Sequence, residues 1–207
     1  MENYPSLRPA RKRRARATTQ PETTRTEGRM TLAEYFLTPE TLVPQELIYG
    51  VVRVADAPFV PHQRVVLRLA TALQEHVDDT HTGEVFVAPV DCVFDRERAL
   101  VLQPDIVFVS QSRQDIVLDR IYGAPDIAIE ILSPNPRIGT LEERVRWFAQ
   151  YGVSEIWLYN EIERVCDVLT CSQGVVASSA TFGPADRLKS SVLPGFDRTM
   201  KEILDRW

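Results

Sequence analysis

The period of the apolar positions changes several times along the chain, and each change predicts an element. Thr31 and Glu34 form a capping-box pattern that starts a short helix through about Leu37. Residues 46–50 and 51–55 alternate apolar and polar, a hairpin turning at Gly50. From Pro61 to about His81, Val65, Val66, Leu69, Ala70, Leu73 and Val77 recur at helical spacing. That stripe predicts a long amphipathic helix with Arg64, Arg68, Glu75 and Asp78 largely on its wet side. Strands are predicted at 85–87, 91–94 and 105–109, then a loop over 110–125 with room for a helical turn, then a strand at 126–132. Pro134 and Pro136 stop that strand. A helix follows over 140–151, closed by Gly152, with Leu141, Val145 and Phe148 as its apolar stripe. At 100° per residue Arg144 lies about 50° from the middle of the stripe, close enough for its side chain to reach a sheet, while Glu142, Glu143 and Arg146 point away. Strands at 155–159 and 165–169, a last short strand near 188–193 and a closing helix over 198–207 complete the chain. This order predicts an α/β (α+β) fold: one domain with a mixed β-sheet flanked by helices.

Two of these strands carry the chemistry. The runs 106–109 and 127–132 are apolar and β-branched, and each is preceded by Pro-Asp, which places Asp105 and Asp126 at strand starts. Within the second run Glu130 stands between Ile129 and Ile131. A carboxylate in a core strand costs several kcal/mol unless it is paired, protonated or bound to metal. Acids kept at such positions on two strands point to a divalent-metal site. The alternative is an ion cluster in which Asp105 and Glu130 pair with Arg144 or Arg137. Asp126 reads as a cap at the strand entrance. His62, just after Pro61, reads as a first-turn cap or surface residue, with a phosphate or supporting contact as the other reading.

Composition changes the picture in three ways. At 207 residues the chain has the length of one domain plus an appendage. It holds no apolar run of membrane-spanning length and no hydrophobic leader, which leads us to expect a cytoplasmic protein with no membrane partner. Cys92, Cys166 and Cys171 are odd in number, which argues for reduced thiols rather than a disulfide framework. The net charge of −5 is uneven: residues 1–29 hold eight basic and three acidic groups, a net +5, leaving −10 for the remainder. That segment, rich in Arg, Thr and Pro, is expected to be a disordered basic tail. Its Arg11–Lys12–Arg13–Arg14 run either holds nucleic acid electrostatically or is a solvated arm. Lysine is scarce: Lys12, Lys189 and Lys201 are the only three.

From residue 30 onward the chain resembles the Uma2 family (DUF820), a branch of the PD-(D/E)XK restriction-endonuclease-like superfamily. The resemblance is carried by Glu46–Leu47–Ile48–Tyr49–Gly50, Pro61–His62, Gln103–Pro104–Asp105, Gly123–Ala124–Pro125–Asp126 and Glu130–Ile131–Leu132–Ser133–Pro134. It continues with Gly152–Val153, Trp157 and Leu193–Pro194–Gly195–Phe196. It implies a restriction-endonuclease-like domain over 30–207 and a nuclease acting on DNA with Mg²⁺, with Mn²⁺ as a substitute. By the same resemblance Asp105 and Glu130 are the motif acids that hold the metal, Glu46 assists them, and a homodimer is expected. The motif lysine would stand two residues after Glu130, where this chain has Leu132; in Uma2-like proteins it lies on the following helix, which here gives Arg144. Arginine can hold a phosphate but cannot act as a general base. The sequence therefore carries two readings: a Mg²⁺-dependent endonuclease using Asp105, Glu130, Glu46 and Arg144, or a catalytically impaired nucleic-acid-binding or assembly protein of the same fold. Trp147, Trp157 and Trp207 are expected in packing or oligomer contacts, and the cysteines as ordinary core or surface residues.

Overall fold

The computed structural model describes residues 28–39, 41–132 and 140–205. The run at 11–14, Ser133, Pro134, Arg137 and Trp207 lie outside them, so the expectations placed on those residues are not addressed by the fold.

Among the described residues, capping boxes set three of the four α-helices. In α1 (Leu32–Phe36), α3 (Leu141–Tyr151) and α4 (Met200–Leu204) a threonine side chain accepts from the third helical backbone N–H, and the glutamate there reaches back. The long helix α2 (Val60–Thr80) begins through Pro61 and ends at His81 in a left-handed conformation. Between α1 and α2 lies the hairpin of β1 (Gln45–Ile48) and β2 (Val51–Val54). The remaining strands are β3 (Gly83–Val87), β4 (Cys92–Asp95), β5 (Leu100–Leu102), β6 (Ile106–Ser110), β7 (Ile127–Leu132), β8 (Glu155–Asn160), β9 (Val165–Ser172) and β10 (Val175–Phe182).

These strands form two sheets rather than one. One is antiparallel, in the order β2-β1-β5-β4, and the other runs β10-β9-β8-β7-β6-β3. The second is mixed, because β7 and β8 are parallel and joined through α3 while its other neighbours are antiparallel. Alternation along its strands builds a core on each face. Ile106, Phe108, Ile127, Ile129 and Ile131 meet Leu69, Leu73 and Val77 of α2 on one side. Val107, Val109 and Ala128 meet Val145 and Phe148 of α3 on the other. Glu130 follows the parity of Ala128, so it shares the α3 side. Gly152 closes α3 with φ 103°, a conformation that favours glycine. Gly83 is required by space: a Cβ there would lie 2.1 Å from the Val109 carbonyl oxygen.

Three expectations need correction. The segment 188–193 is not a strand; it is an irregular loop, and only Arg187 just before it makes an isolated bridge, to Thr199. The closing helix covers only Met200–Leu204 within the described residues. β5 and β10 form where no strand was predicted. By contrast, the helical turn allowed for within 110–125 is present, as a 3-10 helix over Gln111–Ile116. β10 escaped notice because it is an exposed edge strand rich in Ser, Thr and Ala, with no apolar alternation.

Candidate active site

The site forms where the two sheets meet. β5 ends at Leu102 and β6 begins at Ile106, so Gln103, Pro104 and Asp105 carry the chain from one sheet to the other. In the second sheet Ile106 pairs with Ile129, and continuing that register by one step sets Asp105 opposite Glu130. The ladder stops there: the Ile131 backbone N–H donates to Asp105 Oδ2 at 2.8 Å instead of to a backbone carbonyl. His62, in the first turn of α2, meets the same oxygen through Nε2 at 3.1 Å. In the first sheet Leu47 pairs with Val101, which leaves Glu46 beside the exit from β5, and the Gln103 N–H donates to Glu46 Oε1 at 2.7 Å. The side chain of Gln103 is held as well, donating to Asp91 at 2.9 Å.

Arg144 joins the acids from the first turn of α3. Its Nη1 donates to Glu46 Oε1 at 2.8 Å and Oε2 at 2.7 Å. Its Nε and Nη2 donate to Glu130 Oε1 at 2.9 and 2.5 Å. One planar guanidinium thus bridges carboxylates from both sheets, 98 and 14 residues away in sequence. Its planar carbon lies 5.4 Å from the centre of the Phe148 ring. Burial opposes the charge on Arg144, but Glu130 and Glu46 outweigh it and push its pKa up. For Glu130, burial first, then Asp105 and Glu46, push the carboxyl up to about 7 against the pull of Arg144. Like charges set opposite one another on a ladder repel, and Glu130 registers that repulsion.

The structure therefore brings Glu46, Asp105, Glu130 and Arg144 into one cluster and adds His62, whose contact with Asp105 was the lesser of its two sequence readings. Glu130 pairs with Arg144; Asp105 is held by His62 and a backbone N–H. Glu46 is almost fully buried. Asp126 lies away from the cluster, accepting from the Ser110 N–H and from Arg113. Trp147 and Trp157 are buried in packing, Cys92 and Cys166 are buried, and Cys171 is half-buried. Sequence reasoning missed the support given by Gln103 and Asp91. Its only signal was position, because Gln103 directly precedes Pro104–Asp105. It also missed Glu155, a buried carboxylate that accepts from Trp157 Nε1, Ser190 Oγ, and both the N–H and Oγ of Ser191. That clamp ties the loop before α4 to β8.

Among the described residues no three or more His, Cys, Asp or Glu groups converge as a ready metal cage. The donors nonetheless suit a hard cation in kind. Mg²⁺ is commonly bound by one or two carboxylates, with water and substrate phosphate filling its other positions. Asp105 and Glu130 are such a pair, with Arg144 on one oxygen of Glu130, whereas both oxygens of Glu46 are engaged by Arg144 and one of them also by Gln103.

The profile of the Uma2 family, described as "Putative restriction endonuclease", matches residues 32–201. The chain belongs to the Uma2 family. A crystal structure of a "putative nuclease belonging to DUF820" from Anabaena variabilis is similar in fold, with a TM-score of 0.72 and 21% identity over 85% of this chain and 98% of that one. No curated protein matches the chain. Among the described residues of this Uma2 protein no helix is long and apolar enough to cross a membrane.

Proposed function

We propose that this Uma2 protein is an endonuclease that hydrolyses phosphodiester bonds of DNA with Mg²⁺, or Mn²⁺ in its place. Asp105 and Glu130 would hold the cation, with Glu46 assisting. The observation that carries this reading is the opposition of two carboxylates at the end of the β6–β7 ladder. That arrangement is electrostatically unfavourable by itself and favourable around a divalent cation. Such a cation polarises the phosphoryl group and lowers the pKa of a bound water.

The protein's own groups have distinct parts. His62 and the Ile131 N–H orient Asp105. Gln103 and Arg144 orient Glu46. Arg144 supplies positive charge for a phosphate but takes no proton from water, since guanidinium stays charged. Assembly as a homodimer belongs to the same proposal, and light scattering on the eluting protein measures it.

The test is calorimetric titration of Mg²⁺ and Mn²⁺ into wild type and into Asp105→Asn/Glu130→Gln, beside a plasmid-nicking assay. The reading expects binding and nicking by wild type alone. Nicking retained by the double variant, or no cation binding by wild type, defeats it.

One observation favours a second reading, a nucleic-acid-binding or assembly protein without turnover. The guanidinium of Arg144 is already enclosed by Glu46 and Glu130, with its side chain only 10% exposed. That reading expects cation or DNA binding without nicking in wild type, and cleavage revived by Arg144→Lys. Nicking by wild type excludes it.

A further inference from the structure

Directly across the β1–β2 hairpin from Glu46 stands Arg53. Opposed residues of an antiparallel pair share a face, with Cβ atoms about 4.5–5.5 Å apart, and opposite charges there ordinarily pair. This pair does not form. Glu46 gives both oxygens to Arg144 and shares one of them with the Gln103 N–H. Arg53 is exposed, and although its backbone belongs to the β1–β2 ladder, no side chain among the described residues pairs with its guanidinium.

Its position in the sheet makes that freedom consequential. β2 is the outer strand in the order β2-β1-β5-β4, so Arg53 is one strand further out than Glu46 on the same face. The chain beyond residue 29 carries a net −10, and the cluster itself presents carboxylates to any approaching polyanion. A substrate phosphate needs a fixed cation at the rim. Arg144 does not serve the rim, because it lies inside the cluster with its charge largely balanced by Glu46 and Glu130. Arg53 retains its charge and its five-donor fork, the geometry that suits a phosphate.

We infer that Arg53 is a substrate-binding residue that grips a backbone phosphate of the nucleic acid beside the one presented to Asp105 and Glu130. The inference rests on the nuclease reading above and adds to it a specific contact outside the acid cluster. Arg53 positions the strand and does no chemistry.

The experiment is fluorescence anisotropy of a short labelled DNA duplex, and of its single strand, titrated with full-length protein over a series of salt concentrations. Ca²⁺ is present because it takes the same oxygen donors as Mg²⁺. The variants are Arg53→Gln, Arg53→Lys and Arg187→Gln, the last removing an equal charge from a surface ion pair with Asp197. Arg53→Gln is expected to weaken binding about ten-fold and to reduce the slope of log K against log salt by about 0.9, one phosphate contact. Arg53→Lys keeps the slope and loses less affinity, and Arg187→Gln leaves both near wild type. If Arg53→Gln behaves like Arg187→Gln while wild type binds, the assignment of Arg53 is overturned and the nuclease reading stands. If wild type binds neither form of DNA, nor the corresponding RNA, both are overturned.

Discussion

Replacing Arg144 by methionine keeps much of the side-chain volume in α3 and removes the group that bridges the two sheets. Four hydrogen bonds are lost, two to Glu46 and two to Glu130. What remains is worse than a missing bond. The Glu46 and Glu130 side chains are 2% and 14% exposed, so their carboxylates lose their counter-charge where water cannot replace it. Removing one partner of a buried pair costs about 3–5 kcal/mol, a large share of the roughly 5–15 kcal/mol that holds a domain together. For a protein of this size each kcal/mol moves Tm by about 2–4 °C, so the loss should read as roughly 6–20 °C. Thermal unfolding followed by circular dichroism in EDTA at pH 8 measures it. The stranded carboxylates relieve themselves by binding protons, so they hold more protons folded than unfolded, and the deficit of the variant must shrink as pH falls. Neutralising them directly, in Arg144→Met/Glu46→Gln/Glu130→Gln, should recover most of the loss. A deficit below about 1 kcal/mol at pH 8 would refute the reasoning. So would a triple variant no more stable than Arg144→Met.

Three further outcomes follow from particular contacts. Glu130 has its pKa raised from 4.5 to about 7, so the folded state binds the extra proton between those values and stability falls as pH rises through that window. Glu130→Gln should abolish that slope in metal-free denaturant titrations. By pH 8 it should leave the variant ahead by up to about 3 kcal/mol, less whatever is lost with the Arg144 contacts. Glu155→Ala strands four donors on β8 and the loop before α4. A loss of about 3 kcal/mol is expected, with faster hydrogen exchange at the Ser191 amide than at the β6–β7 ladder. Gly152→Ala meets no atom within 4 Å, so its cost is the left-handed backbone alone, about 1 kcal/mol by chemical denaturation.

Local physics is legible in the chain wherever an element satisfies its needs with its own residues. Thr31 with Glu34 caps the short helix that their spacing predicts, and Thr140 with Glu143 caps α3 in the same way. The 3.6-residue stripe of α2 is buried as read, from Val65 to Val77. The apolar runs around Asp105 and Glu130 are strands because β-branched side chains fill both faces of the mixed sheet. A charge inside such a run announces itself by its cost, and so Glu130 stood out before any geometry was known.

Other features depend on partners distant in sequence. β5 is three residues long and gains its identity from pairing with β1 and β4. β10 is an exposed strand stabilised by β9, so its composition resembles a loop. The division into two sheets follows from where the chain passes through Gln103, Pro104 and Asp105, a turn that no periodicity encodes. Glu46 reads in sequence like any hairpin glutamate on a wet face, and only the fold buries it and hands it to Arg144, 98 residues away. The sequence by itself determined most of the elements and marked Glu130 as a charge within a core strand, because helix caps, strand alternation and buried charge act over a few residues. Only the tertiary structure decided that Arg144 is clasped by two carboxylates while Arg53 is left exposed, because that choice is a competition in space among groups the chain keeps far apart.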